Sequence, residues 1–340
     1  MRPICIVAFC APRSRISRCA RCGARRLLPS GPPGHRISRC PQQVGHAMSE
    51  NPHPRADEVD SLTTRELVEL MHGEDARGVE AVRGALGSIA AAVDQIADRL
   101  RSGGRVHYFG AGTSGRLAAL DAAECPATFG VSADLVRAHA AGDGEAEDDA
   151  AKGHQDARGT GLSALDAVVG VSAGGRTPYV LAAMGEARAA GALVIALTCT
   201  PGSPLGAEAD IAIEIDAGPE VIAGSSRLKA GTAQKMALNM ISTGVFTRLG
   251  HTYRGRMVDV VAANEKLRRR VHRIVTDLTG SPEARVRQAI EESGGSAKLA
   301  ILMLRCGIDA SEAADRLAAT HGDLAVALGE RHAPAERTSS

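Results

Sequence analysis

Gly110-Ala111-Gly112-Thr113-Ser114-Gly115-Arg116 has the residue types of an anion site. The glycines let the backbone approach a ligand, and the two hydroxyls can donate hydrogen bonds to phosphate oxygens. A short apolar run, Val106 to Phe109, precedes this stretch and reads as a buried strand. A helical pattern, Leu117 to Ala123, follows it and carries Glu124 at its end. A strand that breaks into such a turn and re-forms as a helix aims free N–H groups and a positive dipole end at its ligand. Gly112, Thr113, Ser114 and Arg116 are therefore expected to bind a phosphate, and Glu124 to work on whatever the phosphate is attached to.

Two nucleotide signatures compete for the same glycines. Gly110, Gly112 and Gly115 fit the dinucleotide pattern G-x-G-x-x-G. The acid that should close a ribose has no seat, because Asp134 follows a loop and not a second strand. The P-loop pattern fails for want of Gly-Lys-Ser/Thr. A small phosphorylated molecule suits the turn better than a nucleotide. The design then recurs. The run Asp166 to Val171 reads as a strand and leads into Ser172-Ala-Gly-Gly-Arg176-Thr177-Pro and a helix from Pro178 to Ala190. A third anion-friendly patch is Gly224-Ser225-Ser226-Arg227-Leu-Lys229, at the start of a long helix through Leu249.

These turns need a scaffold that brings them together. Further strands are expected at Ala133–Ala140, Gly191–Cys199 and Ile211–Ile215, alternating with helical segments. That alternation predicts an α/β fold, a three-layer sandwich with a mostly parallel five-stranded sheet. In such sheets ligands sit at the carboxyl ends of the strands, where both glycine turns lie. Residues 48–102 read as N-terminal helices, with a cap near Ser61–Thr64 and apolar residues at helical spacing from Val82 to Leu100. The sheet domain is expected over 103–275. A small C-terminal helical bundle over 280–330 shows three short helical patterns, the last broken at Gly322.

Composition narrows the class. Net charge is +1, but nine Arg and no acid fall in residues 1–47, so the remainder is mildly acidic. Such a body gives no footprint for nucleic acid. No apolar run approaches the roughly 18 residues of a membrane span. Five of the eight Cys lie in the first 40 residues, and Cys125, Cys199 and Cys306 are scattered. That pattern suits a reducing cytoplasm. Cys19-x-x-Cys22 has no second pair at ribbon spacing, so no metal is expected. Residues 1–47 lack periodicity and read as a disordered extension. Met48-Ser-Glu has the look of a fresh start, which would make the preceding stretch an artefact of start-site choice.

Three stretches together resemble one family: GAGTSGRLAALDAAECPATFG, GRTPYV, and GSSRLKAGTAQKMALNM followed by VDVVAANEKL. The resemblance, from about Asp57 to Leu328, is to the N-acetylmuramic acid 6-phosphate etherases of the sugar isomerase (SIS) domain superfamily. It implies a phosphosugar-binding sandwich, a homodimer with sites near the subunit interface, and no cofactor. It also implies cleavage of the D-lactyl ether of N-acetylmuramic acid 6-phosphate in cell-wall sugar recycling. The ether at C3 is β to the C1 aldehyde of the open-chain sugar. Removing the C2 proton expels lactate, and water then adds at C3. This needs a base and an acid, which two carboxyls can supply.

By the resemblance Glu124, in Ala-Ala-Glu-Cys-Pro, is the acid. Glu147, in Ala-Glu-Asp, is the base or the group that handles water. The phosphate cradle is Gly112, Thr113, Ser114, Arg116, Ser172, Arg176, Thr177, Ser225, Ser226, Arg227 and Lys229. Two departures stand out. The segment between Ala140 and Glu147 is about two helical turns shorter than the family's, and another gap placement would put Gln155 where the Glu belongs. Gly174 stands where the family usually has Ser.

Other readings of the same residues remain open. A non-catalytic phosphosugar sensor, like the related glucokinase regulatory protein, would share the fold. So would an aldose–ketose isomerase, which needs a base at C2 but no acid aimed at C3. Thr113 and Ser114 could simply cap a helix, Lys229 and Lys235 could be solvated, and Asn264-Glu265-Lys266 could be an interface or a pocket wall. Cys125 reads as a small buried residue beside the site and not a nucleophile, and His107 as core or sheet edge and not catalytic.

Overall fold

The computed structural model describes residues 16–18, 25–27, 50–142, 144–262 and 264–330. Ile16–Arg18 and Arg25–Leu27 pair antiparallel with each other. The remainder of 1–49 lies outside the described residues, and with it the expectation of a disordered extension.

After a short helix at Ala56–Val59, the chain runs into helices α1 (Thr64–Ala81) and α2 (Leu86–Arg101). Thr63 and Glu66 form a reciprocal capping box that starts α1. Five strands follow: β1 (Val106–Gly110), β2 (Val136–Ala140), β3 (Ala167–Ser172), β4 (Leu193–Thr198) and β5 (Ile211–Glu214). They form one all-parallel sheet in the order β2-β1-β3-β4-β5. The connecting helices are α3 (Gly112–Phe129), α4 (Ala150–Gly159) and α5 (Pro178–Ala189), and α6 (Lys229–Arg248) comes after β5.

Alternation along each strand sorts the helices into two outer layers. Val106, Tyr108, Val169, Ile195 and Ile213 pack with α2, α3 and α6. Phe109, Val168, Val194 and Ala196 face the other way, onto α4 and α5. Side chains buried on both faces explain why these strands read as continuous apolar runs. The expected sandwich is the observed one. The strand order reverses between β1 and β3, and Gly110 lies level with Val171 across that pair. This is where an open parallel sheet parts to admit a ligand.

A second apolar core gathers Tyr253, Val258, Val260 and the short helix Leu324–Ala327 with four longer helices. They are α7 (Glu265–Thr279), α8 (Glu283–Glu292), α9 (Ala297–Cys306) and α10 (Ala310–Ala319). The expected sheet domain, 103–275, takes in most of α7, yet Val271, Ile274 and Val275 of that helix belong to this second core.

Helix α3 runs further than expected. It continues through Pro126 to a left-handed cap at Gly130, so Glu124 lies inside the helix and not at its end. Asp121, on the same helix, is buried between β1 and α6. Tyr108 Oη donates to it at 3.1 Å and Ser242 Oγ at 3.0 Å. Burial pushes its carboxyl up to about 6, and these two hydrogen bonds only partly offset that. A raised folded-state value means the native state binds the proton more tightly. The resulting stability is present below the ordinary 3.8 and lost as pH rises through about 6. Asp121→Asn is thus expected to raise the melting temperature by a few degrees at pH 7.5, from about 2–3 kcal/mol at most. The gain should vanish near pH 4, as calorimetry at the two pH values would show.

Candidate active site

The first turn is held by close packing. A Cβ on Gly110 would lie 2.8 Å from Gly115 Cα, so strand β1 and helix α3 meet only because both positions lack side chains. Gly112 has φ +52°, which favours glycine. A Cβ there would also strike Glu147 Oε1. The structure thus brings the Glu147 carboxylate onto the glycine turn, carried by a 3-10 turn over Gly144–Glu147 just after β2. Gln155 is exposed on α4.

Thr113 is half-buried and faces the start of α6. A Cβ on Gly231 would lie 3.7 Å from Thr113 Cγ2 and 3.3 Å from the Ser226 carbonyl oxygen. The first and third patches therefore converge at Thr113, Ser226 and Gly231. Ser114 is buried, and its hydroxyl donates to Gln234 Oε1 at 2.9 Å. Its hydrogen ties α3 to α6, which leaves only the oxygen lone pairs for other partners. Arg116 is exposed on the next turn of the helix.

The second turn lies beside the first, at the end of β3. Ser172 is buried, its Oγ is 2.8 Å from Thr177 Oγ1, and it accepts the Gly175 N–H at 3.0 Å. These bonds fix the loop that leads to half-buried Arg176 and to Pro178 at the first turn of α5. Gly174 sits half-buried within that loop.

The third patch differs most from expectation. Ser225 and Ser226 are half-buried and Arg227 is exposed, but Lys229 is buried with its ammonium on Glu74 of α1. Arg77 Nη1 also reaches Glu74, at 2.6 Å, and His53 Nε2 lies 3.4 Å from it. Burial pushes the Glu74 carboxyl up, but the Lys229 ammonium, together with His53 and Arg77, offsets this and holds it below the usual range. Glu220, also buried, accepts the backbone N–H of Lys229 at 3.3 Å and of Ala230 at 3.0 Å. The N-terminus of α6 already holds an anion, and Lys229 is spent on a carboxylate because an unpaired buried ammonium would be costly. The residues missed on sequence are these partners: Glu74, Glu220 and Gln234. Only the burial of the helix start explains them, and spacing does not encode burial.

Removing one member of a buried ion pair strands the other. Lys229→Met is expected to cost about 3–5 kcal/mol by urea denaturation. The double variant with Glu74→Leu should recover most of that loss.

Glu124 is exposed, with Lys235 Nζ 3.8 Å from its Oε2. It stands about 18 Å further along the α3 axis than Gly112. The two carboxylates are therefore not brought together within this chain. Cys125 is buried, and burial pushes its thiol up to about 12, which suits packing and not nucleophilic attack. His107 is buried, with Nδ1 3.0 Å from His139 Nε2. Asn264 caps α7 by accepting the Leu267 N–H at 3.0 Å. Among the described residues there is no cluster of three or more His, Cys, Asp or Glu that could hold a metal ion. No helix among them is long and apolar enough to cross a membrane.

Residues 155–243 match the SIS domain model, and residues 88–188 match the glucokinase regulatory protein N-terminal SIS domain model. The chain is 48% identical to the N-acetylmuramic acid 6-phosphate etherase of Parasynechococcus marenigrum (strain WH8102), over 84% of this chain and 93% of that protein. It is equally 48% identical to the protein of the same name from Rubrobacter xylanophilus, over 86% of this chain and 99% of that one. Among solved structures it is similar to a phosphoheptose isomerase from Francisella tularensis. The TM-score is 0.44 and the identity 17%, covering 55% of this chain and 100% of that one.

Proposed function

The chain belongs to the N-acetylmuramic acid 6-phosphate etherase family, and we propose that it is a carbon–oxygen lyase that cleaves the lactyl ether of that sugar phosphate. The products are N-acetylglucosamine 6-phosphate and D-lactate, and the setting is cell-wall amino-sugar recycling in the cytoplasm. The observation that carries the reading is the meeting of Gly112, Thr113, Ser226 and the Glu147 carboxylate where the strand order reverses.

In this reading the 6-phosphate sits among the N–H groups of the α3 turn, with Thr113, Ser225, Ser226 and one of Ser172 and Thr177 as hydroxyl donors, the hydrogen of the other being used between that pair. Arg116, Arg176 and Arg227 supply positive charge around it. Glu147 takes the C2 proton of the open-chain sugar. The electron pair forms the C2–C3 double bond, and the C3–O bond breaks as Glu124 gives its proton to the lactyl oxygen. Water then adds at C3, its proton going to the Glu124 carboxylate while Glu147 returns its proton to C2. Ether and water thus become alcohol and lactate, and both carboxyls regain their starting states.

A six-carbon sugar phosphate is too short to span from Gly112 to Glu124 of one chain. We infer that the protein is a homodimer in which Glu124 enters the site from the second copy. The first test is D-lactate release from N-acetylmuramic acid 6-phosphate, run beside isomerisation of glucosamine 6-phosphate. Lactate without isomerisation is the expected result. Isomerisation alone, or tight phosphosugar binding without turnover, would sink the reading.

A further inference from the structure

Helix α7 carries Arg268, Arg269, Arg270 and Arg273 within two turns. The first two are answered locally, since both pair with Glu265. Arg270 and Arg273 have no carboxylate or hydrogen-bond partner among the described residues. They stand at i and i+3 with Ile274 and Asp277 on one face of the helix. That face forms one wall of a cleft of about 540 Å³.

Gly255, Arg256 and Met257 form the opposite wall. They belong to a hairpin in which Thr252 pairs with Met257 and Tyr253 with Arg256. Its two turn residues, Arg254 and Gly255, both have positive φ, +47° and +71°. Such turns match the twist of paired strands and make a stiff wall. Arg254 is anchored by Glu330 at 3.2 Å, and Tyr253 Oη donates to the same carboxylate at 2.6 Å. Arg256 crosses the cleft to Asp277 at 3.0 Å.

Three guanidinium groups thus line the cleft against one carboxylate, and that carboxylate is taken by Arg256. Two like charges at i and i+3 repel each other. An anion lying between them turns that repulsion into attraction. Paired guanidiniums match phosphate oxygens in shape as well as charge. Met257 and Ile274 add apolar surface for the body of a ligand.

We propose that this cleft is a second anion site, specific for a phosphate-bearing small molecule and separate from the glycine turns. It is built on the C-terminal core and does not depend on the proposed reaction. Two sources share the chemistry: free inorganic phosphate and a sugar phosphate.

Equilibrium dialysis of the full chain with radiolabelled inorganic phosphate counts the sites. Two equivalents per chain are expected in the parent. Arg270→Ala/Arg273→Ala should hold only one, with lactate release unchanged, while Thr113→Ala/Ser226→Ala should keep the equivalent that the arginine variant loses. Each guanidinium removed should weaken the second equivalent about tenfold. Its displacement by N-acetylglucosamine 6-phosphate at lower concentration than by phosphate assigns it to a sugar phosphate, and the reverse assigns it to the free ion. A single parental equivalent that Arg270→Ala/Arg273→Ala keeps, or two retained in that variant, overturns the proposal.

Discussion

Glu124→Ala is expected to release D-lactate roughly 10²–10⁴ times more slowly than the parent, the range spanned by loss of a general acid. The reason lies in the leaving group. The lactyl oxygen departs as an alkoxide of a secondary alcohol, which is a poor leaving group unless it is protonated as the bond breaks. Glu124 is an exposed side chain that contributes no buried contact, so its removal should leave folding and phosphosugar affinity close to the parent's. The loss therefore belongs in kcat and not in KM. Two further readouts separate an acid from a residue that merely shapes the site. Glu124→Ala should still exchange the C2 proton with deuterated water, because the base proposed for that step is Glu147. A substrate with a 3-fluoro group in place of lactate needs no protonation to depart, and it should be eliminated at nearly the parental rate. Loss of C2 exchange in Glu124→Ala would reassign it as the base. No loss of any activity would remove it from the chemistry.

The sheet and the two glycine turns were legible because their signals are local. Val106–Phe109 and Asp166–Val171 are apolar runs cut by glycine, and burial on both faces leaves such strands few other compositions. The position of Gly112 against Glu147 could be foreseen only through the family resemblance. Nothing in the acidic run 142–149 itself distinguishes a catalytic carboxylate from a solvated one. Lys229 marks where reading by composition stops. A lysine after Ser-Ser-Arg resembles a phosphate ligand, but its burial against Glu74, far earlier in the chain, is a tertiary fact. Ser114 is a second case, a turn hydroxyl that the structure gives to Gln234. Helix α3 is a third. Pro126 signals a helix end by propensity, yet buried Cys125 and Phe129 keep the last turn packed on the core and the helix continues.

The separation of the two carboxylates leads to the second large effect. Glu124→Ala and Glu147→Ala should each be nearly inactive alone, yet activity should return when the two are mixed and allowed to exchange subunits. In a two-fold dimer the same surface serves both copies, so whatever one chain lends its partner it also receives. Suppose each site takes Glu147 from one chain and Glu124 from the other. A mixed dimer then has one site carrying both substitutions and one carrying neither. Random exchange of equal amounts makes half the dimers mixed, so about one quarter of parental lactate release should return. The alternative geometry gives a different number. If both carboxylates act within one chain, each site of a mixed dimer lacks one of them and nothing is recovered. The distance along α3 favours the first outcome. A helix is stiff over three turns, and Cβ atoms tilted toward its N-terminus bring Glu124 only a few ångströms back toward Gly112. Refolding the mixture from urea beforehand guards against slow exchange. Absence of recovery in a sample shown by mass to contain mixed dimers would place Glu124 and Glu147 in one chain, and would require α3 to bend when substrate binds.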